Sequence, residues 1–354
     1  MNNQVSINEL ARQAGVSPTT VSIVLNDRPL AVRLSPSTRE KVRMLAKKLN
    51  YHPNHLAKAM VTQMTQTLGF ICGGIGSTPY YSELMESLTW TAESHGYQLL
   101  LKETRWDKKK EMEALEMLLS RALDGILIFS RIFENESSRI LQMCGEHAPL
   151  VVLGISDLPD FSSVCFDFGS GMRELFSRLV RHGVHDIAIA DDRTLGIPRP
   201  QDAKTPFALQ QYTLKHTAYA AACRQYGITP RYFDFLFQSS ATVQDCIAQI
   251  LKEPPQVLIT SSDLFAARVI SSAGRVGLRV PEDFSVISLD GTQFFQLYNP
   301  PLTSIRQDVT LMAEAGIQEL IRLIHERNGC QNIILPTTLC MGESVKKEWL
   351  QESG

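Results

Sequence analysis

The stretch GVSPTTVSIVLN, Gly15 to Asn26, decides how the N-terminus folds. Ser17 offers a helix N-cap, and Pro18 stands at the first helical position, where its missing N–H costs nothing. Val21, Val24 and Leu25 recur at helical spacing and mark the buried face. Pro18, Thr19 and Ile23 therefore point outward, and none of them is an acid or a metal ligand. Such a helix is shaped to touch a surface rather than to carry out catalysis.

Working outward, SINELARQA ahead of this stretch reads as another helix. Ser6 and Glu9 fit an S-x-x-E capping box, in which hydroxyl and carboxylate satisfy free amides reciprocally. Leu10, Ala11 and Ala14 form its apolar face, and Gly15 takes the left-handed conformation that ends it. On the other side, SPSTREKVRMLAKKLNY (35–51) starts a third helix with Ser35 as cap and Pro36 next. Val42, Leu45, Ala46 and Leu49 make its buried stripe, while Arg39, Lys41, Arg43, Lys47 and Lys48 occupy other faces. Two helices joined by a tight glycine turn and braced by a third describe a helix-turn-helix. In that motif the second helix lies in the DNA major groove with its N-terminal residues at base edges.

Charge agrees with an anionic partner for this head. Residues 1–62 hold nine Lys/Arg against three acids, a net of +6, whereas the remainder holds 26 against 34, a net of −8. The whole chain of 354 residues is long for one domain, and its 44% apolar content suffices for a sizeable core. Its seven cysteines are scattered and form no C-x-x-C pair, which suits reduced thiols in a cytoplasmic protein. The N-terminus lacks the apolar core of a secretory signal, and no apolar run reaches the roughly 18 residues needed to span a membrane. A soluble cytoplasmic protein is expected.

From Leu68 the texture changes to apolar runs alternating with helical stretches. LGFICGGI, YQLLLKE, DGILIFS and PLVVLGI form one series, and VCFDF, DIAIADD, VLITSS and FSVISLD a second. Continuous apolar strands between helices imply parallel sheets covered on both faces, hence two α/β subdomains with a cleft between them. Such sheets bind ligands beyond the carboxyl ends of their strands. That rule selects Tyr80 and Tyr81, Phe129 to Arg131, Asp263 and Asp290 as effector-binding candidates.

The stretches LARQAGVSPTTVSIVLN and YHPNHLAKAM carry a specific likeness. Through Met60 the chain resembles the LacI/GalR family of bacterial transcription regulators, and the rest follows that family's layout. The resemblance implies a small all-α helix-turn-helix head plus an α/β periplasmic-binding-protein-like body of two parallel-sheet subdomains. It implies a head at 1–52, a hinge helix and linker at 53–66, an effector-binding and dimerisation domain at 67–345, and a short tail at 346–354. Within the body, the first subdomain is expected at 67–166 and 308–335, and the second at 167–307 and 336–345.

The same resemblance places the DNA-binding residues. Pro18, Thr19 and Ile23 match the base-reading positions. Ser6, Ser17, Thr20, Ser22, Asn26, Thr38 and Asn54 are expected to position the backbone. Ala57, Lys58 and Met60 belong to the hinge helix, with Met60 where the family usually has a leucine wedge for the minor groove. Ile23 stands where Arg or His is frequent, and it suits a thymine methyl rather than guanine. In the cleft, Asp290, Gln307, Phe237 and Lys215 match effector contacts, Lys215 replacing a usual arginine and losing its bidentate fork. The loop DRPLAVRL is a few residues longer than the family norm, and the segment 194–213 is either a flap over the cleft or a surface loop.

Enzyme readings fare poorly. GGIGSTP has Pro79 where a dinucleotide loop needs its third glycine, and DFG at Asp167–Gly169 lacks every other kinase element. The eight histidines show no metal spacing, so no cofactor or metal is expected. The sequence thus points to a ligand-responsive repressor of carbohydrate-utilisation genes. It would be a homodimer on a pseudo-palindromic double-stranded DNA operator, with a sugar or sugar phosphate as effector. The alternative is a cytoplasmic small-molecule-binding protein whose basic head docks a protein partner.

Overall fold

A computed structural model describes residues 5–25, 33–51, 59, 64–76, 78–129, 133–145, 148–154, 160–192, 213–236, 239–326 and 329–351. The chain divides into two compact units, Met1–Thr65 and Gln66–Gly354.

In the first unit, α1 spans Ile7–Ala14, α2 Pro18–Leu25 and α3 Pro36–Lys48. Leu10, Ala11, Ala14, Val21, Val24, Val42 and Ala46 form its core, with Leu45 and Leu49 only partly buried at its edge. Gly15 ends α1 at φ 70°, and its N–H reaches the carbonyls of Ala11 and Arg12, which turns the chain at once into α2. The start of α1 differs from expectation. Ser6 Oγ accepts from the Glu9 N–H at 3.2 Å, but the Glu9 carboxylate accepts from Arg12 at 2.6 Å and Gln13 at 2.7 Å. Only half of the capping box forms, because a guanidinium one turn on offers a charge-assisted bond that a backbone amide cannot match.

In the second unit, one sheet contains β1 (Thr67–Cys72), β2 (Gln98–Glu103), β3 (Gly125–Phe129), β4 (Leu150–Leu153), β5 (Ser162–Asp167) and β11 (Asn332–Pro336). Its order is β11-β5-β4-β3-β1-β2, with every pair parallel. The other sheet contains β6 (Ile187–Asp192), β7 (Arg231–Phe235), β8 (Val257–Thr260), β9 (Ser285–Ser288), β10 (Thr303–Arg306) and β12 (Thr338–Cys340). Its order is β12-β10-β9-β8-β6-β7. Edge strand β12 runs antiparallel to β10, so this sheet is mixed rather than purely parallel.

VCFDF, read in sequence with the second series, lies in β5 and pairs with β4 and β11 of the first sheet. An apolar strand carries no mark of which sheet it joins; that depends on where the chain crosses. Crossing occurs after β5, after β10 and between β11 and β12. Helices α4 (Pro79–Ser94), α5 (Lys108–Ser120), α6 (Phe133–Cys144) and α11 (Val309–Glu326) accompany the first sheet. Helices α7 (Phe168–Arg181), α8 (Ala218–Gln225), α9 (Ser240–Lys252) and α10 (Asp263–Arg275) accompany the second. The DFG triplet acquires a structural meaning here: Asp167 N-caps α7, accepting from the Gly169 and Ser170 N–H groups. All seven cysteines are free thiols, and burial pushes Cys72 and Cys144 up to about 11.

Candidate nucleic-acid interface and ligand cleft

The N-terminus of α2 is organised by its cap. Ser17 Oγ accepts from the Thr20 N–H at 3.1 Å and shares a hydroxyl bond with Thr20 Oγ1 at 2.9 Å. Pro18 and Thr19 are exposed, whereas Ser22 and Ile23 are half-buried. Ile23 thus sits lower on the helix face than its sequence position suggested, flanking the buried Val24. Ser35 caps α3 in the same manner, bonding the Thr38 N–H at 3.1 Å and the Thr38 hydroxyl at 2.8 Å. Lys41, Arg43, Lys47 and Lys48 are all exposed on α3. Asn26, Asn54, Ala57, Lys58 and Met60 lie outside the described residues, as do Arg131 and Phe237 of the cleft set and the whole 194–212 stretch.

The cleft is lined by the carboxyl ends of both sheets. On the second-sheet side, Asp290 is 6% exposed, and its Oδ1 receives Lys215 Nζ at 3.2 Å. Lys215 also donates to the Ser261 carbonyl at 2.9 Å and stands 5.5 Å from the Phe168 ring centroid. Gln307 Nε2 donates to the Leu289 carbonyl at 2.8 Å and lies 3.4 Å from Asp290 Oδ1. Three candidates from distant parts of the chain, Lys215, Asp290 and Gln307, therefore meet at one point. Burial pushes the Asp290 carboxyl up to about 6, with Lys215 pulling it down and Asp263 raising it.

Asp263 has a different place. It is fully buried, and its two oxygens accept from Ser288 Oγ, the Gly291 N–H at 3.1 Å, the Thr292 N–H at 2.8 Å and Thr292 Oγ1 at 2.7 Å. Four donors saturate a carboxylate. Asp263 therefore shapes the Asp290 loop and offers no oxygen to a ligand. The α10 cap is Ser262, whose hydroxyl accepts from the Phe265 N–H.

On the first-sheet side, Tyr80 is buried, its hydroxyl directed to Met312 Sδ at 3.8 Å, so it belongs to the core between α4 and α11. Tyr81 and Phe129 are half-buried with ring centroids 5.3 Å apart in a T-shaped contact. Trp106 joins them at 5.5 Å from Tyr81 and 6.4 Å from Phe129. The result is an aromatic cluster near the carboxyl end of the first sheet.

Comparison with known proteins settles the family. Residues 6–54 match the model of bacterial regulatory proteins of the lacI family, and residues 177–345 match a periplasmic binding protein-like domain. The chain belongs to the LacI family of bacterial regulatory proteins. Among similar curated proteins, the sucrose operon repressor of Streptococcus mutans is 29% identical over 342 residues, covering 96% of this chain and 99% of the relative. Catabolite control protein A of Staphylococcus xylosus is 28% identical over 336 residues, covering 94% and 96%. A crystal structure of the Lac repressor dimer bound to operator and an anti-inducer superposes with a TM-score of 0.81 at 24% identity, covering 97% of this chain and 99% of that one. It shares the fold.

Two cleft residues of this LacI-family chain escape a reading by strand ends. Trp106 follows β2 within a polar turn, at φ 60°, where nothing in the local pattern marks an inward ring. Glu83 lies mid-helix on α4 and accepts from the Gln293 N–H across the cleft at 2.8 Å. Burial pushes Glu83 up to about 7; the Gln293 amide pulls it down, Asp263 and Asp290 raise it, and Arg306 lowers it.

Proposed function

We propose that the chain is a ligand-responsive transcriptional repressor that binds a pseudo-palindromic operator as a homodimer and answers to a small carbohydrate effector. The observation that carries this reading is the convergence of Lys215, Asp290 and Gln307 at the strand ends of the second sheet, in a chain whose head is a lacI-family helix-turn-helix. Hydroxyl groups of a sugar would bond these polar side chains, and a sugar face would lie on Tyr81, Trp106 or Phe129. For self-association, Trp90 and Leu297 offer apolar surface, at 67% and 78% exposure.

In the head, Pro18, Thr19 and Ile23 would meet base edges, and the exposed bases of α3 would add charge toward the backbone. A ligand preference of about 5.5 kcal/mol for one body conformation is enough for a near-complete switch. The relatives named as repressors support the direction of control.

Selection from random duplexes tests this reading. The purified protein should enrich a palindromic site, and its affinity should fall by roughly one logarithmic unit per phosphate contact for each logarithmic unit of salt. Absence of any preferred duplex, at low ionic strength and with or without sugars, rejects it. On the selected site, Ile23→Arg should redirect preference at one base pair by about 1–3 kcal/mol while leaving sugar affinity unchanged. Unaltered base preference would remove Ile23 from the reading face.

A further inference from the structure

The loop Asp290–Gln293 presents four consecutive backbone N–H groups, and each has a side-chain acceptor. Ser288 Oγ takes the Asp290 N–H at 3.3 Å, and Asp263 takes those of Gly291 and Thr292. These acceptors belong to the second sheet's own lobe. The fourth N–H, of Gln293, goes to Glu83, 210 residues away on α4 of the other lobe. The loop is stiff between these points. Gly291 sits at φ 64°, and a Cβ there would stand 2.7 Å from the Arg306 Cα, so neither its conformation nor its place has room to relax. The Gln307 N–H, in turn, holds the Asp290 carbonyl at 3.0 Å. A pull on Gln293 is therefore delivered to Asp290.

We propose that Glu83 is a positioning residue of the effector cleft, which through the Gln293 amide ties the place of Asp290 in one lobe to the position of α4 in the other. The inference rests on the reading of the cleft as the effector site. It gives that site a physical link to lobe movement. A ligand that displaces Asp290 loads the bond to Glu83, and a shift of α4 moves Asp290. The groups whose charge bears on Glu83 are Asp263 at the start of α10, Asp290 in the loop, and Arg306 on β10; the phenol of Tyr298, which follows the 3-10 turn Gln293–Leu297, senses it in return. An ionised Glu83 is the better acceptor, so the link tightens as this carboxyl loses its proton.

Amide hydrogen exchange on the full chain tests the link without operator or effector. In Glu83→Ala, exchange at Gln293 should speed up roughly tenfold or more, the loss of one charge-assisted bond, while the circular dichroism stays that of the wild type. Glu83→Gln keeps an acceptor oxygen and should restore most of the protection. Between pH 6 and 8, wild-type protection at Gln293, corrected for intrinsic rate, should rise, and in Glu83→Gln it should stay level. Equal exchange in wild type and Glu83→Ala, or no rescue by glutamine, overturns the proposal. A second arm uses the operator obtained by selection: Glu83→Ala should change the sugar concentration for half-release at least about threefold, and Glu83→Gln should not. If selection yields no operator, the repressor reading fails, yet the exchange arm still decides the role of Glu83.

Discussion

Asp263→Ala is expected to lower stability by about 3–5 kcal/mol, the range seen when one partner of a buried charged network is removed. The cause is local. With the carboxylate gone, the Ser288 and Thr292 hydroxyls and the Gly291 and Thr292 amides lose their common acceptor. The site is fully buried, so each orphaned donor costs on the order of 1–3 kcal/mol, and water entering the vacated space recovers part of that sum. Asp263→Asn should be nearly as damaging, because its amide N–H₂ meets two donors instead of accepting from them. Urea unfolding measures both. A loss below about 1 kcal/mol in Asp263→Ala would show that the loop does not depend on this anchor.

The second large effect concerns Asp290→Asn. Its carboxyl is raised by burial to about 6 from the ordinary 3.8, so between these values the folded state binds more protons than the unfolded chain. Stability from this group is whole below pH 3.8 and is lost as pH rises through about 6. The asparagine variant lacks that loss. Its stability relative to wild type should therefore improve by about 3 kcal/mol between pH 4 and pH 8, an order-of-magnitude figure from the shift. The pull of Lys215 on the ionised carboxylate is already contained in the value of about 6, so it leaves this trend with pH unchanged. The same substitution should abolish sugar-induced operator release while operator affinity persists. A pH-independent difference would mean that Asp290 is not held in the protonated direction, and a normal sugar response would remove it from the effector site.

The strand-end rule singled out Asp290, and the family resemblance added Lys215 and Gln307; the structure brings the three side chains together. The same rule misjudged Asp263: a strand-end aspartate looks alike whether it faces a ligand or four protein donors. Tyr80 and Tyr81 are neighbours of one residue type, and only packing assigns Tyr80 to the core and leaves Tyr81 half-exposed at the cleft. Glu83 was invisible to the same reading because its meaning lies in a bond to an amide 210 residues away.

The sequence alone determined the helix-turn-helix head, because its caps, its glycine turn and its helical apolar spacing act over three or four residues. It also determined the alternation of strand and helix in the body, because backbone hydrogen bonds must be satisfied locally or by a neighbouring strand whose apolar run declares it. Tertiary structure alone decided which carboxylate is an anchor and which pairs with Lys215, and where the two lobes touch. Those outcomes depend on burial and on partners remote in sequence, and a side chain's solvation is set by its surroundings rather than by its neighbours in the chain.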